Sequence, residues 1–507
     1  MAFDVRTITI AELGRHAKTR AFEMDLAEYA TYDATGLAQL VKNKQVSPRE
    51  LAQTAMRAIE AIDPKLKSVV EVYDDRIDGL DETDLGTGPL HGVPFLIKDM
   101  FGHEKGRRIE FGSRLCKDMI ADHSTYLADN FKAAGLNILG RSHAPEYSMA
   151  ATTETALYGN CSNPWKEGYS AGGSSGGAQA AVTAGIVPIS HGSDIGGSIR
   201  IPASWCGGVG LKASRGRISL GPVVDEAGFG YSSNLVQAKT VRDVALALDC
   251  VSMPMPGDPF VIPKPDEDYV DLLARAPDGL KIGIVLDELT GVAVDPEIIA
   301  AIHQVGRVLA DMGHHVEVGH ADMGGPEILS ATTDIFFFGF DDRLEGFAQR
   351  SGHAIGPDTL EPTILSLYEY AKTITAKQFL KTWSDLNIAR RQLGAFWTNY
   401  DIWLSPTTSR VAEPWGKLGL SLEGVTAATI ADRIFREPVQ FTIPHNIMGT
   451  PAASLPLAMH SSGLPIGVQI AASPAQDHVV LQLAAQLEQA MPWADRRPEL
   501  HVANLTA

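Results

Sequence analysis

The sequence reads Gly172-Gly173-Ser174-Ser175-Gly176-Gly177 and, after a segment of small residues, Gly192-Ser193-Asp194-Ile195-Gly196-Gly197-Ser198-Ile199-Arg200-Ile201-Pro202. Ser174 and Ser198 thus lie in two glycine-rich turns, and residues 178–186 between them favour a helix. Glycine clusters of this density lose much backbone entropy on folding, so they indicate places where the backbone approaches another group closely. We expect a site built from backbone amides and serine hydroxyls.

The run Ile195-Gly196-Gly197-Ser198 presents four consecutive amide N–H groups with little side-chain obstruction. Backbone donors held about 3 Å from a developing negative oxygen form an oxyanion hole. A serine hydroxyl becomes a nucleophile only when a neighbouring base removes its proton. A base is therefore expected close to these turns.

Histidine and lysine are the two candidate bases. His143, His191 and His445 lie nearest the motifs, but their spacing does not distinguish them. Lys98 follows the apolar run 93–97, which predicts a buried strand, and open α/β sheets bind ligands at the carboxyl ends of strands. Burial lowers the pKa of a lysine from its ordinary value of about 10.4 toward neutrality, as a lysine base requires.

The motifs resemble the amidase signature family of serine hydrolases. The two glycine-rich turns and Cys206-Gly-Gly-Val-Gly-Leu-Lys212 follow the family signature almost residue for residue, and His91-Gly-Val-Pro-Phe-Leu-Ile-Lys98-Asp99 contains the family's lysine. The resemblance extends over residues 35–500 and implies a Ser–Ser–Lys triad. In that triad Ser198 attacks, Ser174 relays the proton after a cis Gly173–Ser174 peptide, and Lys98 receives it.

The resemblance also implies supporting roles. Ile195, Gly196, Gly197 and Ser198 would supply the oxyanion N–H groups, Ser175 would support the relay, and Asp194 and Arg200 would brace the loop. No metal or organic cofactor is needed for this chemistry. A homodimer is expected from the relatives.

The substrate is predicted only as a class. Segments 216–222, 441–446, 449–456 and 491–498 look most like the 6-aminohexanoate cyclic-dimer hydrolase branch and other bacterial amidases. This similarity implies cleavage of carbon–nitrogen bonds in small linear or cyclic aliphatic amides, anilides or carbamates (urethanes), through an acyl-enzyme. The pocket candidates are drawn from the family pattern and from an aromatic cluster: Tyr147, Met149, Thr152, Phe336, Phe338 and Asn446.

The sequence is also compatible with other functions. A glutaminase subunit of a tRNA-dependent amidotransferase shares the signature, although residues 141–147 depart from its usual sequence, and an esterase-like hydrolase would use the same chemistry. A catalytically inactive binding protein is disfavoured because all three triad positions are occupied. Residues 172–176 also satisfy the G-x-S-x-G nucleophile elbow. That elbow needs a strand leading directly into Ser174, whereas residues 163–169 resemble a turn, and it leaves Ser198 and Lys98 without roles.

Strands and helices alternate along the chain. A βαβ unit is predicted from strands at 282–286 and 316–318 around a helix after Asp295-Pro296, in which Ile298, Ile302, Val305 and Leu309 recur at helical spacing. We expect one large α/β/α domain over residues 31–500, with a mixed, mainly parallel twisted sheet covered by helices on both faces. Its core motif spans 90–230, its substrate-pocket region spans about 319–450, and residues 1–30 form an N-terminal extension.

Composition restricts the partners. The 507 residues carry a net charge of −18, from 43 basic and 61 acidic residues, and no basic stripe indicates a nucleic-acid partner. No apolar run reaches the roughly 18 residues of a membrane span. The charged N-terminus lacks a signal-peptide pattern, and the four cysteines lack metal-ligand spacing. These features favour a cytoplasmic protein with no nucleic-acid or membrane partner, and the family resemblance implies a small-molecule amide as its substrate.

Overall fold

The computed structural model describes residues 24–224, 226, 228–325 and 327–505. The strands are β1 Val69–Val72, β2 Pro94–Lys98, β3 Asn137–Ser142, β4 Glu154–Thr155, β5 Gly159–Asn160, β6 Ser162–Asn163, β7 Lys166–Ser170, β8 Ile189–Asp194, β9 Val209–Lys212, β10 Ser233–Ala238, β11 Lys281–Ile284, β12 His315–Val318, β13 Ile402–Pro406, β14 Ala452–Met459 and β15 Pro465–Ala472.

The helices are α1 Leu26–Tyr29, α2 Ala34–Lys42, α3 Pro48–Leu66, α4 Tyr126–Ala133, α5 Gly176–Thr183, α6 Arg200–Cys206, α7 Val241–Val251, α8 Tyr269–Leu272, α9 Pro296–Asp311, α10 Glu327–Phe337, α11 Phe340–Ser351, α12 Pro362–Ala371, α13 Ala376–Gly394, α14 Ile443–Met448 and α15 Asp477–Ala490. In the described part of the chain, no helix combines the length and the apolar character needed to cross a membrane.

One mixed sheet organises the molecule. It has 11 strands in the order β1-β3-β2-β8-β10-β9-β14-β15-β13-β11-β12. The four parallel contacts join β2 to β3 and β8, and β11 to β12 and β13. The other six contacts are antiparallel and include all those between β8 and β13. The mixed α/β architecture is confirmed, and the parallel pairing predicted for most of the sheet is confined to these two outer groups.

Helices cover both faces of this sheet. On β2, Phe95 and Ile97 belong to one buried cluster, and Leu96 between them belongs to another. Because successive side chains of a strand point to opposite faces, the two clusters lie on opposite sides of the sheet. The first includes apolar residues of α4, α7 and α15, and the second includes those of α3 and α5.

The predicted βαβ unit is present. Strands β11 and β12 pair in parallel, and α9 connects them. The Asp295 side chain accepts a hydrogen bond from the Glu297 amide at the start of α9, and Pro296 occupies the first turn. Ile298, Ile302, Val305 and Leu309 are all buried, as their spacing predicts.

The domain boundaries stay a prediction. Most of the predicted extension, residues 1–23, lies outside the described residues. Its last part packs on the domain, since Met24 and Tyr29 are buried in the main cluster and the Tyr29 hydroxyl donates to the Ile186 carbonyl at 3.2 Å.

Candidate active site

Lys98 lies at the carboxyl end of β2, where every residue of the strand is buried. Strand β2 pairs in parallel with β8 in a register that places Leu96 opposite Ser190. The Lys98 side chain therefore reaches the carboxyl end of β8. Its Nζ lies 2.7 Å from Ser174 Oγ, 3.0 Å from Ser175 Oγ and 2.8 Å from Ser193 Oγ.

The protonation state of Lys98 follows from its surroundings. Complete burial lowers its pKa to about 7, even though the carboxylates of Asp194 and Asp99 favour the charged form. A neutral amine has two N–H donors and one lone pair, so it can satisfy three hydroxyl partners when one of them donates to it. Lys98 is thus able to exist as a free base in the interior of the protein.

The three histidines do not contact the serines of the motifs through any hydrogen bond in the described residues. His191 lies behind Lys98, where its Nδ1 accepts from the Lys98 amide at 3.2 Å. His143 bonds the Lys67 carbonyl and the Thr155 hydroxyl, and His445 bonds the Thr450 hydroxyl. Burial lowers the pKa of His143 to about 4 and that of His191 to about 3, and it lowers the pKa of His445 as well. The geometry favours lysine as the base.

The segment before Ser174 has the predicted cis peptide but not the predicted turn. The Gly173–Ser174 peptide is cis, as the resemblance implies. The prediction of a turn at 163–169 is wrong, because β7 spans Lys166–Ser170 and pairs with β6 in a two-stranded ribbon. That strand ends four positions before Ser174, and the Ser174 hydroxyl bonds Lys98, so the nucleophile-elbow interpretation receives no support.

A buried ion pair holds the loop after β8. The Arg200 guanidinium binds both carboxylate oxygens of Asp194 at 2.9 Å. Asn446 from α14 bridges the pair: its Nδ2 donates to Asp194 Oδ1 at 2.9 Å, and its Oδ1 accepts from Arg200 at 2.6 Å. Burial alone would raise the pKa of Asp194, but Arg200 and Asn446 lower it to about 2. These contacts are those of a braced loop.

One of the four predicted oxyanion donors is already occupied. The Gly197 amide donates to Asp194 Oδ1 at 2.9 Å. The prediction of four free N–H groups is therefore corrected to three. The Asp194 carboxylate, which belongs to the same loop, accepts the hydrogen bond of the Gly197 amide. The amides of Ile195, Gly196 and Ser198 have no hydrogen-bond acceptor among the described residues.

A cavity opens beside this loop and, counted together with the solvent space at its mouth, has a volume of about 800 Å³. Its wall is mostly apolar, and Ser198, which is half-buried, contributes to it. The residues that line it are Met100, Phe101, Tyr147, Ser148, Met149, Ala150, Ala151, Gly173, Ile195, Gly196, Ser198, Ile201, Gly228, Leu329, Thr332, Phe336, Arg343, Phe435, Val439 and Ile443. A concave, mostly apolar site of this kind suits a small organic substrate.

Three of the six pocket candidates line this cavity, namely Tyr147, Met149 and Phe336. The other three are corrected. Thr152 is buried and bonds Glu154 and Ser170, Phe338 stacks on Phe379 with a 4.5 Å centroid separation, and Asn446 braces Asp194 and Arg200. The side chains of these three residues contact other parts of the protein, and none of the three is among the residues that line the cavity.

Sequence reasoning missed several residues of the site. Ser193 directly precedes Asp194 within the glycine-rich motif, and this position could have predicted its contact with Lys98. Met100 and Phe101 come two and three positions after Lys98 and could have been found in the same way. By contrast, nothing in the local pattern distinguishes Arg343 or Phe435, which reach the cavity only through packing of distant helices.

The site combines serine hydroxyls around a lysine of lowered pKa with unpaired backbone amides and an apolar cavity. This combination is typical of hydrolases that use acyl transfer. The comparison with known proteins agrees with this class. The chain matches the family model described as Amidase over residues 50–481, and it therefore belongs to the amidase signature family, hydrolases that act on amide bonds.

Its similarity to individual relatives extends over most of the chain. It is 35% identical over 482 residues to the 6-aminohexanoate-cyclic-dimer hydrolase of Paenarthrobacter ureafaciens, covering 92% of this chain and 96% of that protein. It is 32% identical to the acylamidase of Rhodococcus erythropolis, with the same coverage. The solved structure of 6-aminohexanoate cyclic dimer hydrolase complexed with substrate matches with a TM-score of 0.88 and 35% identity, over 93% of this chain and 99% of that chain. The predicted family and branch resemblance are confirmed.

Proposed function

We propose that the protein hydrolyses carbon–nitrogen amide bonds of small molecules through an acyl-enzyme on Ser198, with Ser174 relaying protons to and from Lys98. The observation that carries this proposal is the 2.7 Å contact between Lys98 Nζ and Ser174 Oγ, formed by a fully buried lysine. An isolated buried ammonium would be strongly unfavourable, so a lysine in this place favours the neutral form. Neutral lysine is a base.

Acylation begins when Ser198 Oγ attacks the carbonyl carbon of the substrate. The Ser198 proton passes to Ser174, whose own hydroxyl proton passes to Lys98 Nζ. The carbonyl oxygen becomes negative and is stabilised by the free amides of Ile195, Gly196 and Ser198. The carbon–nitrogen bond then breaks, and the proton held by Lys98 returns through Ser174 to the departing amine.

Deacylation repeats the relay with water. Water attacks the ester carbonyl of acylated Ser198 and gives up a proton through Ser174 to Lys98. When the tetrahedral intermediate collapses, that proton returns to Ser198 Oγ and the carboxylic acid is released. These steps use only side chains, backbone amides and water, so we propose that no cofactor is required.

The relay places a geometric demand on Ser198. Its hydroxyl lines the cavity, and among the described residues no hydrogen bond joins it to Ser174. The Ser198 side chain must therefore turn toward Ser174 when substrate is bound. Catalytic hydrogen bonds commonly tighten only in the substrate complex.

The cavity supports an aliphatic or aromatic substrate. Its wall carries Met149, Phe336, Phe435 and Ile443, which suit linear or cyclic aliphatic amides, anilides and carbamates. The names of the cyclic-dimer hydrolase and the acylamidase point to the same range. Cleavage of esters, or glutaminase activity with a larger partner protein, is the alternative outcome of the test. A homodimer and a cytoplasmic location are proposed with this function.

The decisive experiment is product-resolved mass spectrometry on a panel that contains a primary amide, an anilide, a cyclic and a linear aliphatic amide, an ester and a carbamate. Intact-protein mass is measured in parallel for the wild type and for Ser198→Ala. We expect amide turnover and an acyl adduct on the wild type, with both absent from the variant. Equal turnover by the variant would refute the role of Ser198 and make Ser174 the next nucleophile to test.

A further inference from the structure

Among the described residues that line the cavity beside Ser198, Arg343 is the one that carries a charge. It lies in the first turn of α11, and its amide donates to the Gly339 carbonyl. The residue is exposed, yet desolvation by neighbouring protein atoms still lowers its pKa. Arg343 thus places a solvated guanidinium on the wall of the cavity.

The Arg343 guanidinium has no protein partner in the described part of the chain, whether through a hydrogen bond or an ion pair. The interior arginines of this protein behave differently. Arg141 binds Asp99 at 2.5 Å, Arg200 binds Asp194 at 2.9 Å, and Arg217 binds Asp477 at 3.2 Å. Arg343 is exposed whereas those three arginines are buried, so its charge is solvated and stays available to an anionic group that enters the cavity.

The neighbouring acidic residues do not supply that partner. Asp341 and Asp342 precede Arg343 directly in α11, but residues one or two positions apart point away from each other on a helix. Accordingly, neither forms an ion pair with Arg343 in the described residues. Ser148 also lines the cavity, and its buried hydroxyl has no hydrogen-bond partner among the described residues.

The chemistry of guanidinium identifies the ligand. Its planar fork of N–H donors matches a carboxylate in a two-point contact, and such charge-assisted bonds strengthen where water is excluded. We propose that Arg343 binds a carboxylate on the substrate, and that the preferred substrates are amides with a carboxylate at the end remote from the scissile bond. This proposal rests on the proposed function and specifies its substrate class.

The same charge acts against other substrates. A cationic end group would be repelled by Arg343, and a neutral alkyl end would leave the guanidinium unpaired. The protein should therefore rank substrates of equal length in the order carboxylate, alkyl, ammonium. That order separates a carboxylate site from a merely apolar cavity, which would favour the alkyl end.

The test uses matched substrates that differ only in the end group. On the acyl side these are the p-nitroanilides of adipic acid (one carboxylate free), hexanoic acid and 6-aminohexanoic acid. On the amine side they are N-hexanoyl-6-aminohexanoate and N-hexanoylhexylamine. We expect the wild type to prefer the carboxylate over the alkyl end by about tenfold or more in kcat/KM on at least one side, the worth of one charge-assisted contact.

Arg343→Met keeps an apolar stem but removes the charge, and it should reduce that ratio about tenfold, toward unity. Arg350→Met is the matched control. Arg350 lies on the same helix α11, contacts the Ile120 carbonyl and Asp122, and is not among the residues that line the cavity. It should keep the wild-type ratio. A ratio unchanged by Arg343→Met, or a wild type that prefers the alkyl end, would overturn the proposal.

Binding provides a readout that does not need turnover. In Ser198→Ala, calorimetric titration with adipate should give heat of binding that is lost when Arg343→Met is added, and hexanamide should bind equally to both. Absence of adipate binding to Ser198→Ala also overturns the carboxylate site. If the neutral anilide is cleaved without any carboxylate preference, only this proposal fails; if no amide on the panel is cleaved, the proposed function fails.

Discussion

The Nζ atom of Lys98 lies 2.7 Å from the Oγ atom of Ser174, although 76 positions separate the two residues in the chain. Strand β2 delivers the lysine and the turn before α5 delivers the serine. Ser175 and Ser193 complete the contacts of the amine. In the proposed mechanism, this contact lets the buried lysine act as the base for the Ser174 hydroxyl.

Activity should depend on the protonation of Lys98. Because burial lowers its pKa to about 7, the amine is protonated and inactive as a base below this pH and free above it. We expect kcat/KM for a neutral anilide to rise with pH through about 7 and then level off. A pH–rate profile between pH 5 and 9 checks this, and a rate that falls as pH increases from 6 to 8 would contradict it.

Two of the three serines around Lys98, Ser174 and Ser193, should contribute unequally to catalysis. Ser174→Ala removes the proton relay and should lower kcat by about 10²–10⁴-fold, as expected for a general acid–base group. Ser193→Ala removes one contact of the amine and should lower kcat by about tenfold, or roughly 1.4 kcal/mol. Single-turnover kinetics of the two variants measures the difference. Equal losses would mean that Ser174 only positions the lysine, as Ser193 does.

Gly197 should not tolerate a side chain. Its φ is +136°, and a Cβ there would lie 2.5 Å from Thr442 Oγ1 and 2.8 Å from Ile201 Cδ1. Gly197→Ala should destabilise the protein by about 1–3 kcal/mol. Since the loop also carries the oxyanion amides, it should lower kcat by about 10²-fold or more.

The control for folding is Gly196→Ala, whose Cβ would lie 3.4 Å from Ile443 Cδ1, an ordinary contact. Thermal unfolding of both variants should show a lower midpoint for Gly197→Ala alone. Similar midpoints for Gly197→Ala and the wild type would show that the loop can relax around the added methyl group.

The buried pair of Asp194 and Arg200 should matter for stability. Both side chains are fully buried, so Asp194→Ala leaves the guanidinium without its counter-charge and should destabilise the protein by about 3–5 kcal/mol. Asp385→Ala is the comparison, because Asp385 pairs with Lys381 on the exposed surface of α13, where about 0.5 kcal/mol is expected. Urea unfolding distinguishes them, and equal losses would contradict the burial argument.

Two phenylalanines of the aromatic cluster should separate selectivity from stability. Phe336 lines the cavity, whereas Phe338 stacks on Phe379 outside it. Phe336→Ala should change the relative kcat/KM for bulky and small amides by about tenfold, the worth of a few methylene groups. Phe338→Ala should leave this selectivity unchanged and lower stability by up to about 3 kcal/mol. Identical selectivity changes in both variants would refute the assignment of the cavity wall.

The amino-acid sequence alone determined the local chemistry of this protein. The glycine-rich turns, the lysine after an apolar strand and the βαβ unit at 281–318 were all recognisable, because each depends on residues that are neighbours in the chain. The amidase signature resemblance depended on the same contiguous motifs. The substrate class did not follow from them with equal detail.

Only the tertiary structure decided which distant groups meet. In the folded protein, Ser193 contacts Lys98, and the Gly197 amide donates to Asp194. Asn446, which was expected in the pocket, instead binds Asp194 and stabilises the loop. The tertiary structure also placed Arg343 on the cavity, where its guanidinium has no partner among the residues that the structure describes. These contacts depend on strand register and on the packing of helices far apart in the chain, and local residue patterns encode neither directly. Sequence motifs therefore predict the chemistry that individual side chains and amides can perform, and tertiary packing decides which of these groups lie close enough to act together.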